Sequence, residues 1–236
     1  MVIPLNSVDA LPSGRAFLSY STVDRSLAAQ VKAVLARAGI SVFMAHDDLQ
    51  VSEEWKARIL QELAACDMFV PLLSKAFKAS DWAPQELGYI VSRPSVAIVP
   101  LSVDGTTPFG FIGHIQSRGI PPTGPDDSLL IYPLIPRCPR LMLPVLIRRV
   151  AAARSYRGAE GLMQPLVPFF DLLNEHEANA LASAAVANGQ VWSAAQCRTE
   201  YLPQFVEKQR AHIDPEVLKA LEYQIENNER YLPDEA

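Results

Sequence analysis

From residue 15 to residue 103, short and largely apolar runs alternate with longer amphipathic stretches. The apolar runs predict buried strands over four segments: Ala16–Tyr20, Ser41–Met44, Asp67–Leu73 and Val96–Val103. Between them, apolar residues three and four positions apart predict helices that begin after Asp24, at Ser52 and at Trp82. This alternation of strands and helices indicates an α/β domain with a mostly parallel sheet.

Local signals refine the ends of these elements. Asp24 is a plausible N-cap for the first helix, and Gly39 ends that helix in the expected C-terminal place. Pro71 falls inside the third predicted strand, where it lacks the N–H that a strand donates to its neighbour. We therefore expect Pro71 at a sheet edge or at a bulge.

After residue 105 the pattern changes, because eight of the 19 prolines fall between Pro108 and Pro144. So many prolines exclude a long regular helix. We expect this segment to wrap the edge of the sheet and to hold a short fifth strand at Leu129–Tyr132, followed by a helix at Leu141–Arg154 that closes the domain.

The remaining residues show helical patterns and no strand signal. Helices are predicted at Leu173–Ala187, at Ser193–His212 with a kink at Pro203, and after the start signal Asp214-Pro215-Glu216. The predicted organisation is thus an N-terminal lead (residues 1–13), an α/β domain (14–153) and a small all-helical module (154–236).

Composition narrows the class of protein. The chain has 236 residues, of which 49% are hydrophobic and 20% charged, so a disordered, collagenous or disulfide-rich protein is excluded. The net charge of −5 favours neither nucleic acid nor an anionic membrane surface, and no apolar run is long enough to span a bilayer. The three scattered cysteines and the absence of a signal-peptide pattern lead us to expect a cytoplasmic protein.

The charge is unevenly distributed. Residues 155–236 carry 13 acidic and 6 basic side chains, a net charge of −7, whereas the preceding residues are slightly basic. This difference supports a division into two parts with different roles.

Polar residues follow the first predicted strand. Ser19, Tyr20, Ser21 and Asp24 lie where the strand ends, and ligands of open parallel sheets bind at the carboxyl ends of strands. The alternative interpretation is that the serines and Asp24 only cap the following helix.

A second group of polar and aromatic residues follows the third predicted strand. It contains Ser74, Trp82 and Glu86, and the last two lie four positions apart on one face of the third helix. An aromatic ring and a carboxylate are therefore expected at the same sheet edge as Ser19 and Asp24. A solvated charge is the ordinary alternative for a single glutamate on a helix.

Together these segments resemble the TIR (Toll/interleukin-1 receptor) domain. Phe17-Leu18-Ser19-Tyr20-Ser21 with Asp24 is similar to the first signature box of the family, and Trp82-Ala83-Pro84-Gln85-Glu86-Leu87 matches its W-x-x-x-E-[LI] helix start. The polar loop at residues 45–52 lies where the family has its BB loop. The resemblance covers roughly residues 14–152 and implies a flavodoxin-like fold with a mostly parallel five-stranded sheet.

The resemblance also implies a function. Animal TIR domains are mostly adaptors, whereas many bacterial and plant ones cleave NAD+, and their catalytic glutamate matches Glu86. The expected protein is an NAD+ nucleosidase of a bacterial immune system, similar to Thoeris-type TIR proteins, with NAD+ as substrate and no further cofactor. Trp82 would pack against the nicotinamide or an incoming base, and the other substrate-binding residues would be Phe17, Ser19, Tyr20, Asp24, Asp47, Asp48 and Ser74.

Other interpretations stay open. A non-catalytic interaction module and a nucleoside deoxyribosyltransferase-like enzyme share the expected layout. Adjacent side chains in His46-Asp47-Asp48 do not converge on one ion in an extended loop, so no metal site is expected. By resemblance we expect a homo-oligomer formed through TIR–TIR contacts, and the acidic helices could bind an effector or regulatory subunit.

Overall fold

The computed structural model describes Val8, residues 10–44 and residues 53–230, apart from the side chains of residues 53 and 54. The chain divides into two compact units. The sheet unit comprises Ser13–Cys138, and the helical unit comprises Pro139 onward together with the described residues before Ser13.

The sheet unit is built on short parallel strands. They are β1 (Arg15–Ser19), β2 (Ser41–Met44), β3 (Met68–Leu73), β4 (Ala97–Ile98), β5 (Leu101–Ser102) and β6 (Arg118–Gly119). Their order is β2-β1-β3-β5-β6, with β4 also beside β3, and every pairing among the described residues is parallel. The predicted α/β class and mostly parallel sheet are confirmed.

Helices connect these strands. The sheet unit contains α1 (Arg25–Arg37), α2 (Glu53–Ala65), α3 (Lys75–Lys78), α4 (Ala83–Val91) and α5 (Asp127–Leu130), with 3-10 turns at Thr22–Asp24, Gly110–Ile112 and Tyr132–Leu134. The predicted end of the first helix is confirmed, because Gly39 adopts φ = +79° directly after it.

The predicted fifth strand at Leu129–Tyr132 is wrong. Those residues are helical, because the Asp126 carboxylate accepts a hydrogen bond from the Leu129 N–H at 3.0 Å and caps α5. The position beside β5 is taken instead by β6, whose two residues are exposed and carry no apolar signal.

Pro71 lies in the interior of the sheet and not at an edge, which corrects a second expectation. Its neighbours Phe69 and Leu73 accept backbone hydrogen bonds from Val99 and Val103, each at 2.9 or 3.0 Å. The registers of β3 with β4 and with β5 place Pro71 opposite Pro100, in the gap between those two short strands. Neither proline can donate, so the ladder is interrupted there and the predicted strand Val96–Val103 is split in two.

The core of the sheet unit is rich in aromatic side chains. Phe17 on β1 is fully buried, and its ring lies 5.3 Å from that of Phe43 and 5.7 Å from that of Phe69. Ile59, Leu63 and the apolar face of α4 complete this cluster. All six residues of β3 are buried, so the sheet is packed on both faces at this strand.

The helical unit contains more elements than the three predicted helices. They are α6 (Pro139–Ala151), α7 (Tyr156–Met163), α8 (Glu175–Ala187), α9 (Gly189–Trp192), α10 (Leu202–Gln209) and α11 (Pro215–Asn227), with 3-10 segments at Gln164–Leu172 and Arg210–His212. Helix α6, which the apolar pattern assigned to the sheet domain, packs chiefly against α8. The domain boundary at residues 153–154 stays a prediction.

Two sequence signals in the helical unit, Pro203 and the cap at Asp214, can be compared with the structure. The helix predicted at Ser193–His212 contains a π-helical turn at Cys197–Tyr201, which ends two residues before Pro203. Proline has no N–H for the hydrogen bond of a regular helical turn. Asp214 caps α11 as expected, because its carboxylate accepts from the Glu216 and Val217 N–H groups at 2.9 and 3.3 Å.

Within the described ranges, no helix has both the length and the apolar character needed to cross a membrane.

Candidate functional site

The carboxyl ends of β1 and β3 form the centre of the candidate site. The two strands are parallel neighbours, and Ser19, the last residue of β1, pairs with Pro71 in β3. Ser74 follows the last residue of β3 directly. Side chains that leave these strand ends therefore meet at one edge of the sheet, as the sequence predicts.

Ser19 and Glu86 form a buried pair at this edge. The Ser19 hydroxyl donates a hydrogen bond to Glu86 Oε2, and the two residues are only 2% and 5% exposed. Glu86 belongs to the first turn of α4, which starts after Trp82 and has Pro84 near its N-terminus. The predicted approach of the two motifs is thus seen as a direct contact, and Glu86 is not the solvated charge of the ordinary alternative.

The surroundings of Glu86 disfavour its charged form. Burial raises the pKa of its carboxyl from 4.5 to about 7, and the hydrogen bond from Ser19 lowers the pKa in partial compensation. No charged group among the described residues adds to this balance. Near neutral pH the charged and the neutral form of this carboxyl are thus both populated, and pKa values shifted in this way are common at functional sites.

A second hydrogen bond ties the same two strand ends together. Ser74 Oγ donates to Asp24 Oδ2 at 2.7 Å and accepts from the Phe77 N–H at 3.0 Å. Asp24 makes no capping hydrogen bond to α1, so the expectation of an N-cap is corrected. Ser74 instead caps α3, and its bond to Asp24 holds the β1 connection against the start of that helix.

Trp82 lies beside a second tryptophan that sequence reasoning did not select. Its ring meets that of Trp55 edge to face, with centroids 4.5 Å apart and an interplanar angle of 87°. Both side chains are partly exposed. The helical pattern of α2 assigned Trp55 to the core, and its position in the first turn after the polar loop was the only signal that it could reach the sheet edge.

Phe17 and Tyr20 have a different environment from the other candidates. Phe17 is packed in the aromatic core and Tyr20 is 2% exposed, so both support β1 from within the fold. Asp47 and Asp48 lie outside the described residues. Their expected place at the border of the site stays a prediction.

Asp104 is another residue that sequence reasoning missed. It follows β5, and its carboxylate accepts from the Lys75 N–H at 3.0 Å and the Thr106 N–H at 3.1 Å. These hydrogen bonds lower the pKa of Asp104. The residue joins the loops after β3 and β5, and its only sequence signal is the turn-forming Asp104-Gly105 pair.

The groups at this edge of the sheet indicate which kind of ligand the site could bind. It offers a buried carboxyl group with one oxygen held by Ser19, and a pair of partly exposed indole rings. One of these, Trp82, lies one helical turn before Glu86. Such a site suits a ligand that has hydroxyl groups, a flat ring and a region of positive charge. No three His, Cys, Asp or Glu side chains within the described part of the chain are grouped to hold a metal ion.

Comparisons with known proteins agree with the segment that carries this site. Residues 16–123 match the family model described as TIR domain, a stretch that runs from β1 to just beyond β6 and includes Glu86. The comparison with curated proteins found no match.

Proposed function

We propose that the TIR domain at residues 16–123 is an NAD+ nucleosidase in which Glu86 acts on the ribose next to the nicotinamide. The observation that carries this proposal is the buried Glu86 carboxyl, held by Ser19 at the carboxyl edge of the sheet. TIR domains include NAD+-cleaving enzymes. Glutamates without a functional role are mostly exposed on the protein surface or, when buried, paired with a cation.

The reaction needs little from the protein. The bond between ribose C1′ and the nicotinamide nitrogen breaks, and its electron pair leaves with the nicotinamide, which becomes neutral. No general acid is required, because the leaving group is already cationic. The sugar passes through a state similar to an oxocarbenium ion, which an adjacent carboxylate stabilises.

The raised pKa of Glu86 is compatible with this role. In the free protein the carboxyl is ionised in about half of the molecules near pH 7, as follows from a pKa of about 7. A bound nicotinamide ring carries a positive charge, and an opposite charge nearby favours the carboxylate. We therefore expect kcat/KM, which reports the free enzyme, to rise with pH through about 7, and kcat to reach its plateau at lower pH.

The remaining candidates act in binding. The Trp82 and Trp55 rings give aromatic surface for the nicotinamide or an incoming base. Asp24 and Ser74 fix the loops at the rim through their mutual hydrogen bond. Phe17 and Tyr20 hold β1 in register behind Ser19.

The product depends on which nucleophile reaches C1′. Water adds to C1′ with release of one proton and gives ADP-ribose, whereas a group of the same molecule's adenosine half gives a cyclic isomer. We propose that the product serves bacterial antiphage signalling, as in Thoeris-type systems, and that the active protein is a cytoplasmic homo-oligomer. TIR domains commonly self-associate, which supports the last point.

The direct test is incubation of the purified full chain with NAD+, followed by chromatography of nicotinamide, ADP-ribose and its cyclic isomers. Wild type is expected to release nicotinamide, and Glu86→Gln is expected to release it about 10²- to 10³-fold more slowly. Glu177→Gln is the matched control at a buried glutamate in the helical unit. Circular dichroism and the oligomeric state are compared for all three proteins. Equal absence of turnover in folded, assembled wild type and Glu86→Gln would contradict the proposal.

The same experiment distinguishes the NAD+ nucleosidase from the alternative function, a non-catalytic interaction scaffold. A scaffold predicts no nicotinamide release and an unchanged oligomeric state in Glu86→Gln. Base exchange on deoxynucleosides, measured with the same variants, separates the deoxyribosyltransferase-like alternative.

A further inference from the structure

The contact between Ser19 and Glu86 joins two parts of the chain that are 67 residues apart. We propose that Ser19 is the positioning residue of Glu86: its hydroxyl orients the carboxylate and favours the charged form that the proposed reaction uses. This inference deepens the proposed function, on which its meaning for catalysis rests.

The position of Ser19 makes it a rigid support. Ser19 ends β1 and pairs with Pro71 of β3, and it is 2% exposed. A serine hydroxyl has a single proton to donate, and here that proton is directed to Glu86 Oε2. Within the described part of the chain, no hydrogen bond reaches the second carboxylate oxygen, Oε1, so this oxygen is available to a ligand. Its orientation is determined by the bond that the first oxygen makes.

The hydrogen bond also opposes the effect of burial. Within the described part of the chain, Ser19 is the group that stabilises the charged carboxylate, whereas desolvation acts against it. Without the hydroxyl, the Glu86 carboxyl would be protonated over a wider range of pH. A neutral carboxyl cannot stabilise a developing cation.

Charged groups on the neighbouring elements do not replace this contact. On α2, Arg58 lies 2.6 Å from Glu62, which also pairs with Arg15 at the start of β1. On α3, Lys78 lies over the ring of Phe109 and Lys75 is exposed. Other titratable groups described on or beside α4 are the exposed Lys56 and Asp81, the half-buried Tyr89, Asp24 and Arg93. Asp24 accepts from Ser74, and Arg93 donates to the carbonyl oxygens of Leu63 and Cys66.

The test compares Ser19→Ala with wild type in two measurements. The first is a ¹³C NMR titration of the Glu86 carboxyl in the full-length protein without NAD+, with the signal assigned by its loss in Glu86→Gln. Because a hydrogen bond to a charged group is being removed, we expect the titration midpoint to rise by about one pH unit in Ser19→Ala. The second is the pH profile of kcat/KM for nicotinamide release, whose midpoint is expected to move in the same direction.

Two further variants make the result specific. Ser19→Cys keeps the size of the side chain with a weaker donor, so its midpoint is expected between those of wild type and Ser19→Ala. Ser21→Ala makes the same chemical change two residues along, at a side chain with no capping hydrogen bond, and its midpoint is expected to equal that of wild type.

The role of Ser19 and the proposed function would be contradicted by different results. A carboxyl midpoint that is the same in wild type, Ser19→Cys and Ser19→Ala overturns the inference, whatever the activity. A loss of kcat/KM in Ser19→Ala at every pH, without a shift of the profile, also overturns it. Absence of nicotinamide release from wild type contradicts the proposed function, and the NMR titration then still decides the role of Ser19.

Discussion

The sheet unit and the helical unit each bury a glutamate, and the two carboxyl groups have opposite surroundings. Glu177, 4% exposed, accepts a hydrogen bond from the Asn174 N–H at 3.0 Å and lies 4.0 Å from the Arg140 guanidinium. Glu86, equally buried, receives one hydrogen bond from a neutral hydroxyl and faces no cation among the described residues.

The burial of Glu177 has a structural explanation that the burial of Glu86 lacks. Asn174 accepts in return from the Glu177 N–H at 2.9 Å, so both residues form a capping box that satisfies the start of α8. The burial of Glu177 is thus explained by the fold alone. Nothing comparable in the described residues compensates the burial of Glu86, and we therefore propose a ligand as the partner for its charge.

Removal of the charge should give the largest difference between the two sites. Glu86→Gln is expected to lower kcat/KM for NAD+ by about 10²- to 10³-fold, because the carboxylate would stabilise charge that develops only in the transition state. Glu177→Gln keeps a side chain that suits a capping box and should change kcat/KM by less than about twofold. Nicotinamide release, measured under identical conditions, gives both values. Similar losses in both variants would mean that the two glutamates are not functionally different.

The pH dependence of stability should distinguish the two glutamates next. The Glu86 pKa is about 7 in the folded protein and near 4.5 in the unfolded chain, so between these values the folded state binds more protons. The contribution of Glu86 to the free energy of unfolding therefore falls as pH rises through this window, by about 3 kcal/mol in all. Urea denaturation from pH 4 to 8 should show this fall in wild type and not in Glu86→Gln. A parallel pH dependence in both proteins would contradict the raised pKa.

Loss of the capping box should have a smaller effect, confined to stability. Glu177→Ala removes the hydrogen bond to the Asn174 N–H and the neighbour of Arg140, and we expect the free energy of unfolding to fall by about 1–2 kcal/mol. Nicotinamide release by the folded protein should be unchanged. Denaturation and turnover measured on one preparation test both statements, and a turnover defect at full folding would argue against a purely structural role.

The smallest expected effect concerns the indole pair. Trp55→Ala removes the edge-to-face partner of Trp82 without touching Glu86, so KM for NAD+ should rise by about threefold to tenfold with kcat nearly kept. Leu60→Ala, at a 44% exposed position on the same helix, is the control for loss of apolar surface from α2. An equal response of KM in both variants would remove Trp55 from the site.

Patterning predicted most of the regular structure because those elements depend on local signals. Strands β1 to β3, the glycine end of α1 and the Asp214 cap of α11 all follow from residues close in sequence. The fifth strand was misplaced because Arg118–Gly119 has no apolar period and pairs only by virtue of the neighbouring β5. Pro71 was expected at an edge or at a bulge because the sequence does not reveal that Pro100 would lie opposite it.

The site was predicted as a set of residues and not as a set of contacts. The positions of Ser19, Asp24, Ser74, Trp82 and Glu86 at strand ends were sufficient to group them at one edge. Their partners were not predictable in the same way. Asp24 binds Ser74 instead of capping α1, and Trp55 reaches Trp82, because side-chain contacts depend on how the strand ends and helices pack.

The sequence by itself determined the alternation of strands and helices, the acidic character of the C-terminal helices, and the choice of Glu86 as the candidate carboxylate. The first two are consequences of local periodicity and composition. The third follows from the spacing between Trp82 and Glu86 and from the resemblance to the TIR family. Only the tertiary structure decided that Glu86 is buried and that Ser19, 67 residues away, supplies its hydrogen bond. The ionisation of a carboxyl group depends on desolvation and on partners in space, which are properties of the packed chain.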